Sequence, residues 1–291
     1  MKKVSRYLTS LVLSVLLVFS VSLSAIIIVS LNMTAEKAVK LAEKNNIYST
    51  VYDELDKYFS KQYNTTGIPK EVYMDAIDEM YIKQVSDTYT EYLFDTLYYG
   101  SPQTTFDEPF YSNHALEDSI TAFFSDYAEK NGYEKNEAFT LKLSTTINDA
   151  FKVICNYCDI YKYSSMNTHG VLSKISVVFQ NMKTIRNACI TAVILIMILI
   201  FIVNIKEKTA FLYWTGISSI ISGTLGTAPC VYLIRSQYFD AFTIKQPQVF
   251  TAFTSAMYSL TEYLLKAEIG VIAVGILLTF LYGIIKIKKS Q

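Results

Sequence analysis

Four long apolar blocks decide what this 291-residue chain can become. They run from about Leu8 to Leu31, Ala188 to Val203, Ala210 to Ile234 and Ile269 to Ile285, and none contains a charged side chain. A helix needs about 20 apolar residues to cross a bilayer, where every backbone polar group must be satisfied within the protein. The chain therefore reads as an all-α, polytopic membrane protein with four transmembrane helices. The long polar stretch between the first two blocks reads as an extracytoplasmic helical bundle inserted between helices one and two.

The first block follows Lys2, Lys3 and Arg6 and resembles a signal peptide with a small-residue site at Ser22-Leu23-Ser24-Ala25. However, Ile26-Ile27-Ile28-Val29 continues the apolar run beyond the 7–15 residues of an ordinary signal core. An uncleaved signal anchor is expected.

Orientation follows from Lys and Arg in short flanks. Lys2, Lys3 and Arg6 precede the first span, Lys206 and Lys208 occupy the turn between spans two and three, and Lys286, Lys288 and Lys289 follow span four. With four spans all three clusters fall on one side, so both termini are expected in the cytoplasm of a multi-pass plasma-membrane protein. The expected organisation is a tail and signal anchor over 1–33, an outer helical domain over 34–185, span two over 186–205, a turn and span three over 206–234, an outer loop over 235–268, and span four with a basic tail over 269–291.

The formal net charge of zero conceals a segregation. Residues 34–185 carry 22 acidic and 14 basic side chains, a net of −8, whereas the cytoplasmic pieces hold eight Lys and Arg against Glu207 alone. An acidic outer segment whose only cations are lysines argues against nucleic acid or anionic lipid as its partner. The high apolar content excludes a disordered chain, and four Cys are too few for a disulfide-built scaffold.

Helical periodicity runs through the outer segment. Tyr48, Val51, Tyr52, Leu55, Phe59 and Tyr63 predict a helix that continues out of span one and breaks at Thr65-Thr66-Gly67. A second, opened by Pro69, carries Val72, Tyr73, Ala76, Ile77, Met80, Val85, Tyr89, Leu93 and Leu97 to Gly100-Ser101-Pro102, followed by a loop through Pro109 to about Tyr111. A third spans Leu116 to Tyr127 and ends at Asn131-Gly132; a fourth carries Ala138, Leu141, Ile147, Phe151, Ile154, Cys158 and Tyr161; a fifth begins near Gly170 and enters span two without a breaker. In the second outer loop, Val249, Phe250, Phe253, Met257, Leu260 and Leu264 predict one more amphipathic helix from Pro247. The 23 Tyr, concentrated in these helices, suit seam packing and also recognition surfaces.

Chemistry is sparse. Cys155-Asn156-Tyr157-Cys158 is the one C-x-x-C, without the strand–helix context of a redox site. Three readings stay open: two packed thiols, a local disulfide between Cys155 and Cys158, or part of a metal site with His169. Acidic pairs such as Asp75 with Glu79 share a helix face, as ordinary solvated carboxylates also do. No nucleophile, phosphate-loop or metalloprotease signature occurs, so neither catalysis nor a cofactor is expected.

Within the spans, small residues recur at every fourth position: Ser219, Gly223 and Thr227 in span three, and Gly275, Thr279 and Gly283 in span four. Such stripes let helices approach closely, within one chain or between copies in an oligomer. A polar pathway is the other reading of the same hydroxyls, although no apolar block holds an ionisable residue inside it. The plan of a large outer segment between spans one and two, then a tight hairpin, resembles in topology tetraspanins and the membrane subunits related to bacterial ABC exporters. The tetraspanin Cys motifs are absent, so no functional residue carries over. The expectation is a non-enzymatic, bacterial membrane protein whose outer domain binds a protein partner or ligand as an accessory, sensor or assembly subunit. The alternative is a transport or channel subunit using spans three and four.

Overall fold

The computed structural model describes residues 3–103 and 113–290. Helix makes up 87% of it and no strand occurs among the described residues, so the chain is all-α. The helices are α1 (Lys3–Leu31), α2 (Ala35–Lys44), α3 (Ile47–Thr66), α4 (Glu71–Met74), α5 (Glu79–Tyr99), α6 (His114–Asn131), α7 (Glu137–Cys158), α8 (Tyr163–Thr168), α9 (Val171–Val203), α10 (Lys208–Arg235) and α11 (Pro247–Ser290). Four stretches are long and apolar enough to cross a membrane: Val4–Leu31, Val171–Val203, Ile205–Arg235 and Pro247–Lys288. They mark the chain as a membrane protein.

Local chemistry explains where the helices stop. The helix expected to continue from span one instead ends at Leu31 and restarts twice. Thr34 accepts the Lys37 N–H to open α2, and Asn46 turns through a left-handed conformation (φ 52°) to open α3. The helix expected from Pro69 to Leu97 is likewise two. Asp78 is extended and accepts the Tyr81 N–H at 2.7 Å, capping α5 and cutting α4 to a single turn. Such a cap contributes about 1 kcal/mol. The loop read through Pro109 to Tyr111 lies outside the described residues. Asn113 and Asn136 cap α6 and α7 in the same way. Helix α7 ends at Cys158, short of Tyr161, and α9 runs unbroken from Val171.

The chain divides into two compact units, one of Met1–Met33, Asn181–Phe242 and Ala256–Gln291, the other of Thr34–Gln180 and Thr243–Ser255. In the second, the helical unit, Ile47, Val51, Leu55 and Phe59 of α3 pack with Ile82, Val85, Tyr89 and Tyr92 of α5, Leu116 and Ile120 of α6, and Phe151 and Ile154 of α7. Burial of this apolar surface is the main stabilising term, about 25 cal/mol per Å². Met80 and Leu141, expected on core stripes, are 78% and 68% exposed. The break at Asp78 turns Met80 out, and no described residue covers the Leu141 face in the first half of α7.

In the first, the membrane unit, α1 lies along α10. Leu17, Ile200 and Trp214 form its dense centre, and Tyr7 meets the Trp214 ring edge-on at 5.1 Å. Hydroxyls tie the helices together: Ser22 Oγ lies 2.8 Å from Ser222 Oγ, and Asn204 Nδ2 donates to Ser10 Oγ at 2.9 Å. The basic helix ends gather at one end of the unit. Arg6 pairs with Glu207 at 2.9 Å, the Tyr213 and Tyr282 rings meet at 5.3 Å, and Lys286 Nζ sits over Tyr282.

Candidate functional site

The helical unit opens into a cleft of about 1010 Å³ between the C-terminal half of α3, α6 and the uncovered first half of α7. Its position follows from where each element stops. Gly67 (φ +70°) ends α3 at one wall, and Gly132 (φ +69°) turns the chain from α6 towards α7 at the other. Both conformations favour glycine, which lacks the Cβ that clashes there.

Aromatic rings dominate the walls: Tyr58, Tyr73, Phe123, Phe124, Tyr127, Tyr133 and Phe139. Several are locked against one another. Phe59 and Tyr73 stack at 4.2 Å and 13°, Tyr127 and Tyr133 at 6.1 Å and 15°, and Phe124 meets Phe139 edge-on. Gln62, Asn136, Lys142 and Asp149 supply polar groups among them. Burial, and then the neighbouring Tyr58, push the Tyr73 phenol up to about 12, so it stays a neutral hydroxyl. Rigid rings interleaved with a few donors and acceptors can take an amphipathic ligand, apolar faces against the rings and polar edges against the amides. The sequence flagged Tyr as suited to recognition; which Tyr line the opening depends on where α7 loses its cover, and no local pattern encodes that.

The cysteine pair lies elsewhere in the helical unit. Cys155 and Cys158 are free thiols buried in its core. Thiols three apart on one helix sit in successive turns, a geometry a disulfide strains. Burial pushes both thiols up, opposed at Cys155 by the Tyr89 hydroxyl. No group of three His, Cys, Asp or Glu suited to a metal occurs among the described residues. Asp159, after them, accepts the Tyr163 and Ser164 N–H groups at 2.7 and 2.8 Å, holding α8 in place.

The small residues of the membrane unit lie along an antiparallel α10–α11 seam. A Cβ on Gly216 would come within 3.0 Å of Gly275 O and Thr279 N, and one on Gly275 within 2.7 Å of Gly216 O. At Gly223 it would meet Ile272 at 2.5 Å and Glu268 O at 2.7 Å, whereas at Gly283 it would meet nothing within 4 Å. Ser219 donates to Thr215 O at 3.0 Å, Thr279 to Gly275 O, and the Thr227 hydroxyl oxygen is buried without a partner. The seam thus brings Gly216 and Gly223 to Gly275 and Ile272 and leaves Gly283 outside.

Glu268 is the residue the sequence did not single out. It adjoins the fourth apolar block, yet α11 is continuous through it, and its side chain is 1% exposed against Gly226 with Oε2 unpartnered. Its signal was a spacing of seven: Glu268, Gly275 and Tyr282 repeat along one edge of the helix.

Geometry therefore defines an all-helical membrane protein with a separate helical unit that carries an aromatic cleft. No protein-family profile matches the chain, and neither a curated protein nor a solved structure shows significant similarity to it.

Proposed function

We propose that this is a plasma-membrane protein, of bacterial type, whose helical unit lies outside the cytoplasm and binds a protein partner or amphipathic ligand in the aromatic cleft, as an accessory, sensor or assembly subunit. The observation that carries this reading is the cleft itself. At about 1010 Å³ it stands at the top of the range for small-molecule sites, and four of its wall residues are Tyr, a type enriched at binding hot spots. Orientation rests on the basic residues at one end of the membrane unit and the net of −8 over residues 34–185.

The transport alternative draws less support, because Ser218, Ser219 and Ser222 of α10 commit their hydroxyls to packing, while Thr215 and Thr227 keep buried hydroxyls without a partner. Ser218 donates to Trp214 O at 2.8 Å and approaches Ser14 O at 3.3 Å, and Ser222 meets Ser22.

Site-specific photo-crosslinking in intact cells tests the proposal. A crosslinking amino acid at Tyr127 or Phe139 is expected to trap a discrete adduct, while one at Lys40, on the exposed face of α2, traps none. Equal, diffuse products at all three positions would exclude a specific cleft interaction.

A further inference from the structure

We propose that Glu268 is a proton-binding site in the membrane unit: its carboxyl holds one proton within the α10–α11 seam. The carboxyl is 1% exposed and its Oε2 has no hydrogen-bond partner. Gly226 faces it so closely that any Cβ there would overlap the carboxyl carbon and Oε1. Gly223, one turn earlier on α10, lies against the Glu268 carbonyl and Ile272. The seam has closed on this side chain, and the missing Cβ at position 226 is what admits it.

Depth follows from two independent counts. Gly226 stands 18 residues after Lys208 on α10, and Glu268 stands 18 residues before Lys286 on α11. At 1.5 Å per residue each separation is about 27 Å, close to one hydrocarbon thickness. The carboxyl therefore lies just inside the membrane edge remote from the basic helix ends.

No counter-charge reaches it. Between Lys208 and Arg235, α10 holds no charged residue; its titratable groups are Tyr213, Cys230 and Tyr232, of which the Cys230 thiol interacts with the carboxyl. On α1 the charged residues, Lys3 and Arg6, stand at its start among the basic helix ends, and Arg6 is engaged by Glu207. Asp240, in the turn after α10, is itself acidic, and α9 offers Cys189 beyond Arg186. On α11 itself, Lys266 sits over the Tyr263 ring and Glu262 is acidic. No ion pair joins Glu268 among the described residues. A bare carboxylate is among the costliest groups to bury in such surroundings.

A metal cation needs several oxygen ligands, and this closed notch presents one carboxylate. A proton needs no cage, and taking it up removes the charge that makes burial of the carboxyl costly. Neither α10 nor the stretch of α11 from Ile269 to Ile285 has a carboxylate, so the site is terminal rather than part of a relay. Proton exchange takes place at the near edge, and loss of the proton drives the carboxylate out of the seam at Gly226.

Infrared pH-step difference spectroscopy on the full chain in lipid nanodiscs tests this. At neutral pH the protein is expected to show a protonated-carboxyl carbonyl band that alkali removes. Glu268→Gln loses one carboxyl equivalent of that band, and Glu268→Asp displaces it. Exchanging choline for sodium at constant pH leaves it unchanged. Absence of the band from the unsubstituted protein, or its full persistence in Glu268→Gln, overturns the proposal. So does a band present in choline and lost in sodium, which would make the carboxyl a metal-cation ligand. If Glu268→Gln fails to fold, the unsubstituted spectrum and Glu268→Asp still decide.

Discussion

At Tyr73 packing and cleft chemistry meet. Its ring stacks on Phe59 in the core of the helical unit, and its edge forms part of the cleft wall. The phenol is held at about 12 against an ordinary 10, so the folded chain keeps a proton that the unfolded chain releases. That stability is intact below pH 10 and is lost as pH rises from 10 towards 12. Tyr73→Phe should reduce the alkaline loss by about 2 kcal/mol near pH 12 and leave neutral stability little changed. Chemical unfolding followed by circular dichroism, compared between neutral and alkaline buffer, reads this. An equal alkaline decline in both proteins would mean the phenol does not titrate with folding. Residue-scale chemistry of this kind was only partly visible in the sequence: Tyr73 fell on a predicted apolar stripe, but its Phe59 partner belongs to another helix.

At the scale of elements, the α10–α11 seam shows how periodicity is read and misread. The sequence suggested contact every fourth residue. At 100° per residue, however, Gly283 is rotated about 80° from Gly275, while Tyr282, seven residues on, is off by only about 20°. Accordingly Tyr282 meets Tyr213 across the seam and Gly283 faces open space. Gly275→Leu is expected to lower the melting temperature of the detergent-solubilised protein by several degrees, whereas Gly283→Ala leaves it within about a degree. Equal effects would place the seam elsewhere.

The four apolar helices were legible because about 20 uncharged apolar residues have no other stable use. The breaks at Thr34, Asn46 and Asp78 were not, because the apolar stripe runs on past a cap that a single side chain makes. The cleft was hidden for a different reason: its walls come from α3, α6 and α7, and only the layout of the bundle brings Tyr58, Phe124 and Phe139 to one opening.

At the scale of the whole molecule, the chain carries a membrane unit with its basic helix ends gathered together and an acidic helical unit that offers an aromatic cleft. A partner outside the cytoplasm reaches the cleft only if that unit faces outwards. The most direct measurement is labelling of intact cells with a membrane-impermeant maleimide, using Lys130→Cys on α6 and Lys206→Cys in the α9–α10 turn. Both positions are exposed, in a chain whose own cysteines are replaced. Labelling of Lys130→Cys in intact cells, with Lys206→Cys labelled only after permeabilisation, is the predicted result. Labelling of Lys206→Cys from outside, with Lys130→Cys protected, would contradict the proposed orientation and the function built on it.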